Sequence, residues 1–238
     1  YNHILASQHP ETGMMSYFVP LRMGAKKTFS DAHNTFTCCV GSGMENHAKY
    51  GEGIYYEGKD GSLYVNLFIP SELNWKNKKA VITQVTSFPE SSQSSLKISI
   101  KKENQFSIKI RKPWWVKSEI NVSVNGVKIK ASGEENGFLV FDRIWRDGDQ
   151  LLITMPMELH YESMPDNADR VAFLFGPLVL AGQLGDTMPD VMSIPVFLTD
   201  NRNVNDWLLP VEEKSLAFRT KDTGRPHDVT LLPFYRTY

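Results

Sequence analysis

From Gly53 onward, apolar and polar residues alternate with a period of two, and this pattern constrains the fold more than any other feature. In residues 96–101, Leu96, Ile98 and Ile100 alternate with Lys97, Ser99 and Lys101. Successive side chains of a β-strand point to opposite faces, so this alternation is typical of a strand with one buried face and one face in water. The greater part of the chain is therefore predicted to be β-structure.

Turn signals divide these alternating runs into short strands. Gly58-Lys59-Asp60-Gly61 separates runs at 54–57 and 62–69, and Asn125-Gly126 separates runs at 120–124 and 127–130. Asn-Gly is the strongest two-residue hairpin signal because both residues tolerate positive φ. Further strands are predicted at 79–86, 96–101, 105–111, 137–142, 151–155, 158–162, 170–175, 177–181, 193–198, 216–219 and 229–233. Short strands separated in this way predict an all-β fold, an antiparallel β-sandwich that is either one large or two smaller units.

The first 50 residues differ in kind from the rest. Residues 1–8 have a short helical spacing that ends at His9-Pro10, because the residue before proline is pushed out of the α-region. A second short helix is predicted from Glu45 to Tyr50, after the turn of Gly41 to Gly43. We therefore expect a helix and loop segment at 1–50, a β-sandwich at 51–182, and a smaller β-region or sandwich extension at 183–238.

Composition excludes two classes of partner. The chain has 26 basic and 27 acidic residues among 238, with a net charge of −1, so it lacks the clustered positive charge of a nucleic-acid-binding protein. The longest apolar run, residues 171–182, is too short for a membrane helix and is interrupted by Gly176-Pro177. The chain starts with neither methionine nor a signal peptide, and we expect it to be a piece of a longer protein.

Cys38 and Cys39, the only cysteines, are adjacent. Neighbouring cysteines rarely form a disulfide because the eight-membered ring is strained. The pair is therefore either two small buried residues or a chemical site, as a reactive thiolate or as metal ligands. A zinc site needs three or four ligands, and Glu45 and His47 are either further ligands or ordinary surface residues. On this segment alone, a complete metal site is not expected.

Two pairs of carboxylates, Glu134-Glu135 and Asp147 with Asp149, are better explained as solvated residues of strand-connecting turns than as acid–base pairs. The sequence contains no Gly-x-Ser-x-Gly nucleophile motif and no glycine-rich phosphate loop.

Trp114-Trp115 is the strongest candidate for a carbohydrate contact outside the cysteine segment, because aromatic faces stack on the apolar faces of sugars. The alternative is that tryptophan fills the sandwich core, and we expect this for at least one of the two. Trp75 and Trp207 are weaker candidates in loop-like contexts.

Several segments, in the same order, carry a family resemblance. They are Tyr1-Asn2-His3-Ile4-Leu5-Ala6, Tyr17-Phe18-Val19-Pro20-Leu21, Phe36-Thr37-Cys38-Cys39, Arg111-Lys112-Pro113-Trp114-Trp115 and residues 171–181. The chain resembles the C-terminal part of the β-L-arabinofuranosidases of glycoside hydrolase families 127 and 146, once called DUF1680. The double cysteine after an aromatic residue is the most specific match, and the strand Gly-Pro-Leu-Val-Leu-Ala is the second.

The resemblance implies a parent enzyme with an (α/α)6 helical barrel followed by β-sandwich domains, of which residues 1–50 are the end of the barrel. Such enzymes are retaining glycosidases. A zinc-held cysteine thiolate attacks the anomeric carbon to give a thioglycosyl intermediate, and a glutamate acts as acid and then as base. By position, Cys38 matches the nucleophile and a zinc ligand, Cys39 matches a second zinc ligand, and Tyr17 matches a residue lining the sugar site. The remaining zinc ligands and the glutamate would lie upstream of Tyr1.

One difference from the family pattern bears on the identity of the substrate. The Cys-Cys-Pro-Pro-Asn run common in part of the family is replaced by Cys38-Cys39-Val40-Gly41-Ser42.

The expected partners are L-arabinofuranose-containing glycans and the upstream barrel, and the expected location is the periplasm or exterior of a bacterium. The isolated chain is expected to bind zinc weakly or not at all and to lack turnover. The alternative function is a non-catalytic carbohydrate-binding or structural β-sandwich module.

Overall fold

A computed structural model describes residues 1–237, and the chain divides into two compact units. Lys49–Met157 forms one of them, here called the sandwich unit. The other, here called the composite unit, combines Tyr1–Ala48 with the residues from Glu158 onward. In residues 1–237, no helix has the length and apolar character needed to cross a membrane.

The sandwich unit contains two sheets. Its strands are β1 (Tyr55–Glu57), β2 (Leu63–Val65), β3 (Ser71–Trp75), β4 (Ala80–Thr86), β5 (Gln93–Ile100), β6 (Asn104–Arg111), β7 (Asn121–Val124), β8 (Val127–Ile129), β9 (Gly133–Glu135), β10 (Phe138–Trp145) and β11 (Gln150–Thr154). One sheet has the order β1-β2-β6-β10-β9 and the other β3-β4-β5-β11-β7-β8. Strand pairs within them are antiparallel, except that β2 and β6 run parallel. The prediction of a mainly antiparallel β-sandwich is confirmed.

The core of this unit is built from the alternating residues of both sheets. Ile82 and Ile98, paired across β4 and β5, are fully buried, as is Ile108 on β6 of the other sheet. Trp145 is also fully buried, and its Nε1 donates a hydrogen bond to the carbonyl of Phe106 at 2.9 Å. The buried indole therefore leaves no polar group unsatisfied, as a dry core requires.

The Asn125-Gly126 turn forms as predicted. It joins β7 to β8, with Val124 opposite Val127, and its two residues have φ values of 52° and 82°. These left-handed conformations suit a two-residue turn whose twist matches the strands. The hairpin predicted around Gly58–Gly61 is also present, since β1 pairs with β2.

The composite unit is built on a six-stranded sheet. Its elements are β12 (Leu159–Met164), β13 (Asn167–Phe175), β14 (Leu178–Gly182), β15 (Val196–Phe197), α2 (Val204–Trp207), β16 (Leu208–Pro210), β17 (Phe218–Thr220), β18 (Gly224–Arg225) and β19 (Thr230–Pro233). The sheet order is β12-β13-β14-β19-β17-β16, and β15 pairs with β18.

The strand pairing in this sheet contradicts the predicted domain boundary at residue 182. β14 pairs with β19, so that Ala181 lies opposite Leu232, and the strands before and after residue 182 share one sheet. The sandwich therefore ends at Met157, and residues 158–182 belong with the C-terminal strands. The continuous apolar run at 171–181 predicted a central strand correctly but did not identify its partner.

The first 37 residues are mostly irregular and pack on the composite unit's sheet. The predicted N-terminal helix is only a 3-10 turn, Leu5–Ser7. The Asn2 side chain donates to the carbonyl of Pro177 at 2.8 Å and accepts from the amide of Val179 at 2.9 Å. These bonds tie the start of the chain to the turn between β13 and β14.

Helix α1 spans Cys38–Lys49 and is longer than predicted. The sequence predicted a helix only after the Gly41–Gly43 turn, but both glycines lie inside α1. Glycine is a poor helix former, so local propensity argued against this start. Packing decides it instead, because Gly43 is buried against Met15.

Candidate functional site

The two cysteines open helix α1. Cys38 is exposed and Cys39 is half-buried, both are free thiols, and their Sγ atoms are 3.9 Å apart. Burial raises the pKa of the Cys39 thiol, and the hydrogen bond and charge of Cys38 raise it further. The two thiols therefore differ in exposure, and Cys38 affects the pKa of Cys39.

Contacts along one side of α1 hold the cysteines in place. Gly43 lies directly against Met15, and one turn later the His47 Nε2 atom is 3.1 Å from the Gln8 Oε1 atom. Residues four apart lie on the same helix face, so both contacts dock α1 on the N-terminal segment. Cys38 and Cys39 stand at the start of this docked helix.

The loop before the cysteines is organised by Asp31. Its carboxylate accepts hydrogen bonds from the amides of His33 and Asn34 and, at 3.0 Å, from the Thr35 hydroxyl. The amide bonds, with that of Thr35, lower the pKa of the Asp31 carboxyl. This loop leads directly into Phe36 and Thr37.

An open pocket of about 460 Å³ lies beside this segment. It is lined by Met15, Tyr17, Phe18, Pro20, Lys26, Thr28, Phe29, Ser30, Thr35 and Thr37. The predicted sugar-site residue Tyr17 is 49% exposed in its wall, and its ring meets Phe18 edge-on at 4.4 Å. Thr37, the residue before Cys38, is also in the wall, whereas neither cysteine is.

The cysteine pair fits half of a zinc site. Two sulfurs on one tetrahedral zinc, each about 2.3 Å from the metal, are separated by about 3.8 Å. The Cys38 and Cys39 sulfurs match this spacing at 3.9 Å. No group of three or more His, Cys, Asp or Glu side chains within residues 1–237 is arranged to hold a metal ion. Glu45 and His47 thus do not complete the site.

The carboxylate pairs have structural roles. Asp149 accepts from the Asn125 side chain at 2.8 Å and from the Arg146 amide at 2.9 Å, so it serves the turn as expected. The expectation that it is solvated is wrong, because Asp149 is only 6% exposed and these hydrogen bonds satisfy its buried carboxylate. Glu134 and Glu135 lie on strand β9 rather than in a turn. They pair with Lys112 at 2.8 Å and Lys109 at 2.9 Å, respectively.

The tryptophans divide clearly between core and surface. Trp115, Trp75 and Trp207 are at most 7% exposed, which removes them as carbohydrate platforms. Trp114 is 63% exposed, with the Lys117 ammonium 5.6 Å from its ring centre. The expectation that at least one of Trp114 and Trp115 is a core residue is met by Trp115.

Sequence reasoning did not find the pocket wall beyond Tyr17. The sequence predicts only loop structure between the two short helices of residues 1–50, yet Lys26, Thr28 and Phe29 of this loop line the pocket. One signal was available, because residues 12–30 contain Arg22, Lys26 and Lys27 but no acidic residue. A run of one charge sign marks a surface that favours the opposite sign.

Family comparison gives two matches. A model of the GH127 catalytic domain of β-L-arabinofuranosidases matches residues 1–52, and a model of the GH127 middle domain matches residues 62–157. The end of the second match coincides with the end of the sandwich unit. A search of curated proteins finds no match.

Solved structures share the fold. A GH127 β-arabinofuranosidase has a TM-score of 0.72 and 23% identity over 98% of this chain and 41% of its own. A GH127 β-L-arabinofuranosidase from Geobacillus stearothermophilus T6 has a TM-score of 0.63 and 20% identity over 84% of this chain and 35% of its own. A protein described as a glycoside hydrolase has a TM-score of 0.66 and 20% identity over 99% and 44%. The chain thus spans 35–44% of the length of these structures.

Proposed function

Since this chain belongs to the β-L-arabinofuranosidase family GH127, we propose that it is the C-terminal part of a retaining glycoside hydrolase with a cysteine nucleophile. The substrates would be L-arabinofuranosides of plant polysaccharides or glycoproteins. We further propose that the parent protein works in the periplasm or outside a bacterial cell, where such glycans occur.

One observation carries the proposal. Two thiols with the sulfur spacing of zinc ligands stand at the start of a docked helix, directly after a residue that lines an open pocket. Structural cysteines are usually buried and inert, whereas reactive ones are accessible. The exposed Cys38 and half-buried Cys39 fit the second description better.

In this mechanism, Cys38 forms and breaks the covalent bonds. Its sulfur attacks the anomeric carbon as the glycosidic C–O bond breaks, and the leaving oxygen takes a proton from a glutamate outside this chain. Water then gives a proton to the same glutamate and attacks the same carbon, the C–S bond breaks, and the sulfur recovers its electron pair. Two displacements retain the configuration at the anomeric carbon.

Other residues of the chain would position the reacting groups. Tyr17 would pack on the sugar from the pocket wall, and α1 would hold Cys38 through the contacts of Gly43 and His47. Cys38 and Cys39 would supply two ligands to a zinc ion, and zinc lowers the pKa of a bound thiol so that it is a thiolate at neutral pH.

Activity in the longer protein that includes the upstream sequence tests the proposal. Cys38→Ser should abolish hydrolysis of p-nitrophenyl β-L-arabinofuranoside, while Ser42→Ala, an exposed change on the same helix, should leave it intact. Mass spectrometry of quenched wild-type reactions should place a glycosyl adduct on the Cys38 peptide. Undiminished turnover of Cys38→Ser would overturn the nucleophile assignment.

The isolated chain provides a second test. With two ligands only, it should hold zinc weakly and show no turnover, so metal analysis after gel filtration should give well under one zinc per chain. One tightly held zinc per chain would contradict the proposed split of the site.

A second candidate function concerns the sandwich unit alone. Trp114, exposed on the loop after β6, favours a carbohydrate-binding role, because exposed aromatic faces stack on sugars. Binding of arabinan by the isolated chain that is lost in Trp114→Ala and kept in Val127→Ala, another exposed apolar position, would support it. Equal binding by both variants would exclude Trp114 as the platform.

A further inference from the structure

The pocket beside the cysteines has an unusual balance of groups. Its wall combines the aromatic rings of Tyr17, Phe18 and Phe29 with four hydroxyl residues and one lysine, and it contains no Asp or Glu. Aromatic faces and hydroxyls suit a sugar. A pocket for neutral sugars does not need a cation, so the lysine calls for a separate explanation.

Two of the hydroxyls are already engaged. Ser30 accepts from the Met15 amide at 3.1 Å, and Thr35 donates to Asp31 at 3.0 Å. The side chains of Thr28 and Thr37 make no hydrogen bond to any residue in the described range 1–237. These two hydroxyls are therefore the ones available to a ligand.

The lysine is held in place without being neutralised. The Lys26 Nζ atom donates to the backbone carbonyl of Asp186 at 2.5 Å, and it forms no ion pair with any carboxylate of residues 1–237. Arg22 and Lys27 add positive charge to the same segment, and the nearest acidic residues in sequence are Glu11 and Asp31. An unpaired, oriented ammonium beside aromatic walls is suited to a carboxylate.

We propose that this pocket selects glycans that carry a carboxylate, with Lys26 pairing with a uronic acid residue of the substrate. This proposal rests on the proposed function and names the substrate class of the same site. Thr28 and Thr37 hydrogen-bond the sugar hydroxyls, and Tyr17 and Phe18 pack on its apolar face. The ion pair is partly solvated, so its effect on affinity is several-fold rather than orders of magnitude.

Trigalacturonate and its fully methyl-esterified form are a matched pair of probes, because esterification replaces each carboxylate with a neutral methyl ester and leaves the rest of the glycan unchanged. Titration calorimetry on the whole chain should show the acid binding about 3- to 10-fold more tightly than the ester, the range of a partly exposed ion pair. Lys26→Gln should abolish this preference, and 0.5 M NaCl should reduce it in the wild type. Lys214→Gln, an exposed lysine outside the pocket wall, should keep it.

Equal affinity for acid and ester, a preference that survives Lys26→Gln, or no binding of either probe would overturn the proposal. Circular dichroism of both variants separates these outcomes from misfolding. The result is independent of the Cys38 test. If the pocket shows no preference for the acid but Cys38 is needed for hydrolysis, the protein is an arabinofuranosidase whose pocket takes neutral sugars. If the acid is preferred but Cys38→Ser keeps full activity, the pocket binds uronates and Cys38 is not the nucleophile.

Discussion

Met15 packs so closely on Gly43 that a Cβ atom added to Gly43 would lie 2.5 Å from the methionine Cε and 2.8 Å from its Cγ. Met15 is 8% exposed and also lines the pocket, so a Cβ on Gly43 would force its side chain to shift out of this contact. A glycine that is unfavourable for a helix by itself is thus the residue that lets α1 approach the pocket segment.

Gly43→Ala is expected to loosen α1 from the pocket segment. The added methyl group overpacks against Met15 at a cost of about 1–3 kcal/mol, of which the higher helix propensity of alanine offsets up to about 1 kcal/mol. Hydrogen exchange of the α1 amides should accelerate, and the unfolding midpoint of the chain should fall.

Gly41→Ala is the matched control on the same helix. A Cβ at Gly41 meets no atom within 4 Å, so alanine should stabilise α1 by up to about 1 kcal/mol through helix propensity. Equal effects of the two substitutions would contradict the packing role of Gly43.

The two thiols should differ in reactivity toward iodoacetamide at pH 8. Cys38 is exposed, while Cys39 is half-buried with a raised pKa, and the thiolate is the reactive form. Peptide mass spectrometry should therefore show Cys38 modified first. In Cys38→Ser, Cys39 should react faster than in the wild type, because the neighbour that raises its pKa is gone. Slower labelling of Cys39 in that variant would contradict the coupling.

Asp60 should make the sandwich unit acid-sensitive. Hydrogen bonds from the Ser62 side chain and amide, followed by the Lys109 ammonium at 3.2 Å, lower the Asp60 pKa from 3.8 to about 2. The folded state then favours the ionised carboxylate. Its stabilising effect is complete above pH 3.8 and is lost as the pH falls toward 2.

Urea unfolding of the wild type and Asp60→Asn should test this. The difference in unfolding free energy should be constant above about pH 5 and shrink below pH 4, as the linkage relation requires. Glu72→Gln, which removes one negative charge from an exposed position of the same unit, controls for net charge. A difference that does not change with pH would contradict the assignment.

Lys27 should give a pH dependence of the same sign as Asp60, but in the alkaline range. Its side chain is buried, donates to the carbonyls of Phe234 at 2.9 Å and Thr237 at 2.5 Å, and lies 4.2 Å from the Phe234 ring centre. Burial lowers its pKa from 10.5 to about 8. Between these values the unfolded chain binds a proton that the folded chain has released, so stability from this residue rises with pH.

Lys27→Met removes that titration together with both hydrogen bonds. The unfolding free energy of the wild type relative to Lys27→Met should therefore increase from pH 8 to 10.5. Lys214→Met, at an exposed position, should show no such trend relative to the wild type. A flat or falling difference for Lys27→Met would show that the ammonium is not desolvated.

The sequence by itself determined the β-sandwich and its hairpins. Alternation along strands such as β5 specifies the buried face residue by residue, and the Asn125-Gly126 turn needs only two residues with positive φ. Both signals are local, so they can be recognised without knowing any partner. The cysteine pair was also evident, as the only two thiols in the chain.

Only the tertiary structure decided where the sandwich ends, where α1 begins and what surrounds Tyr17. β14 pairs with β19, about 50 residues later in the chain, and α1 begins at Cys38 because the buried Gly43 packs on Met15. The pocket depends on Lys26 and Thr37 lining the same wall as Tyr17. Each of these features arises from contacts between residues distant in sequence, whose free energy of packing outweighs local propensity.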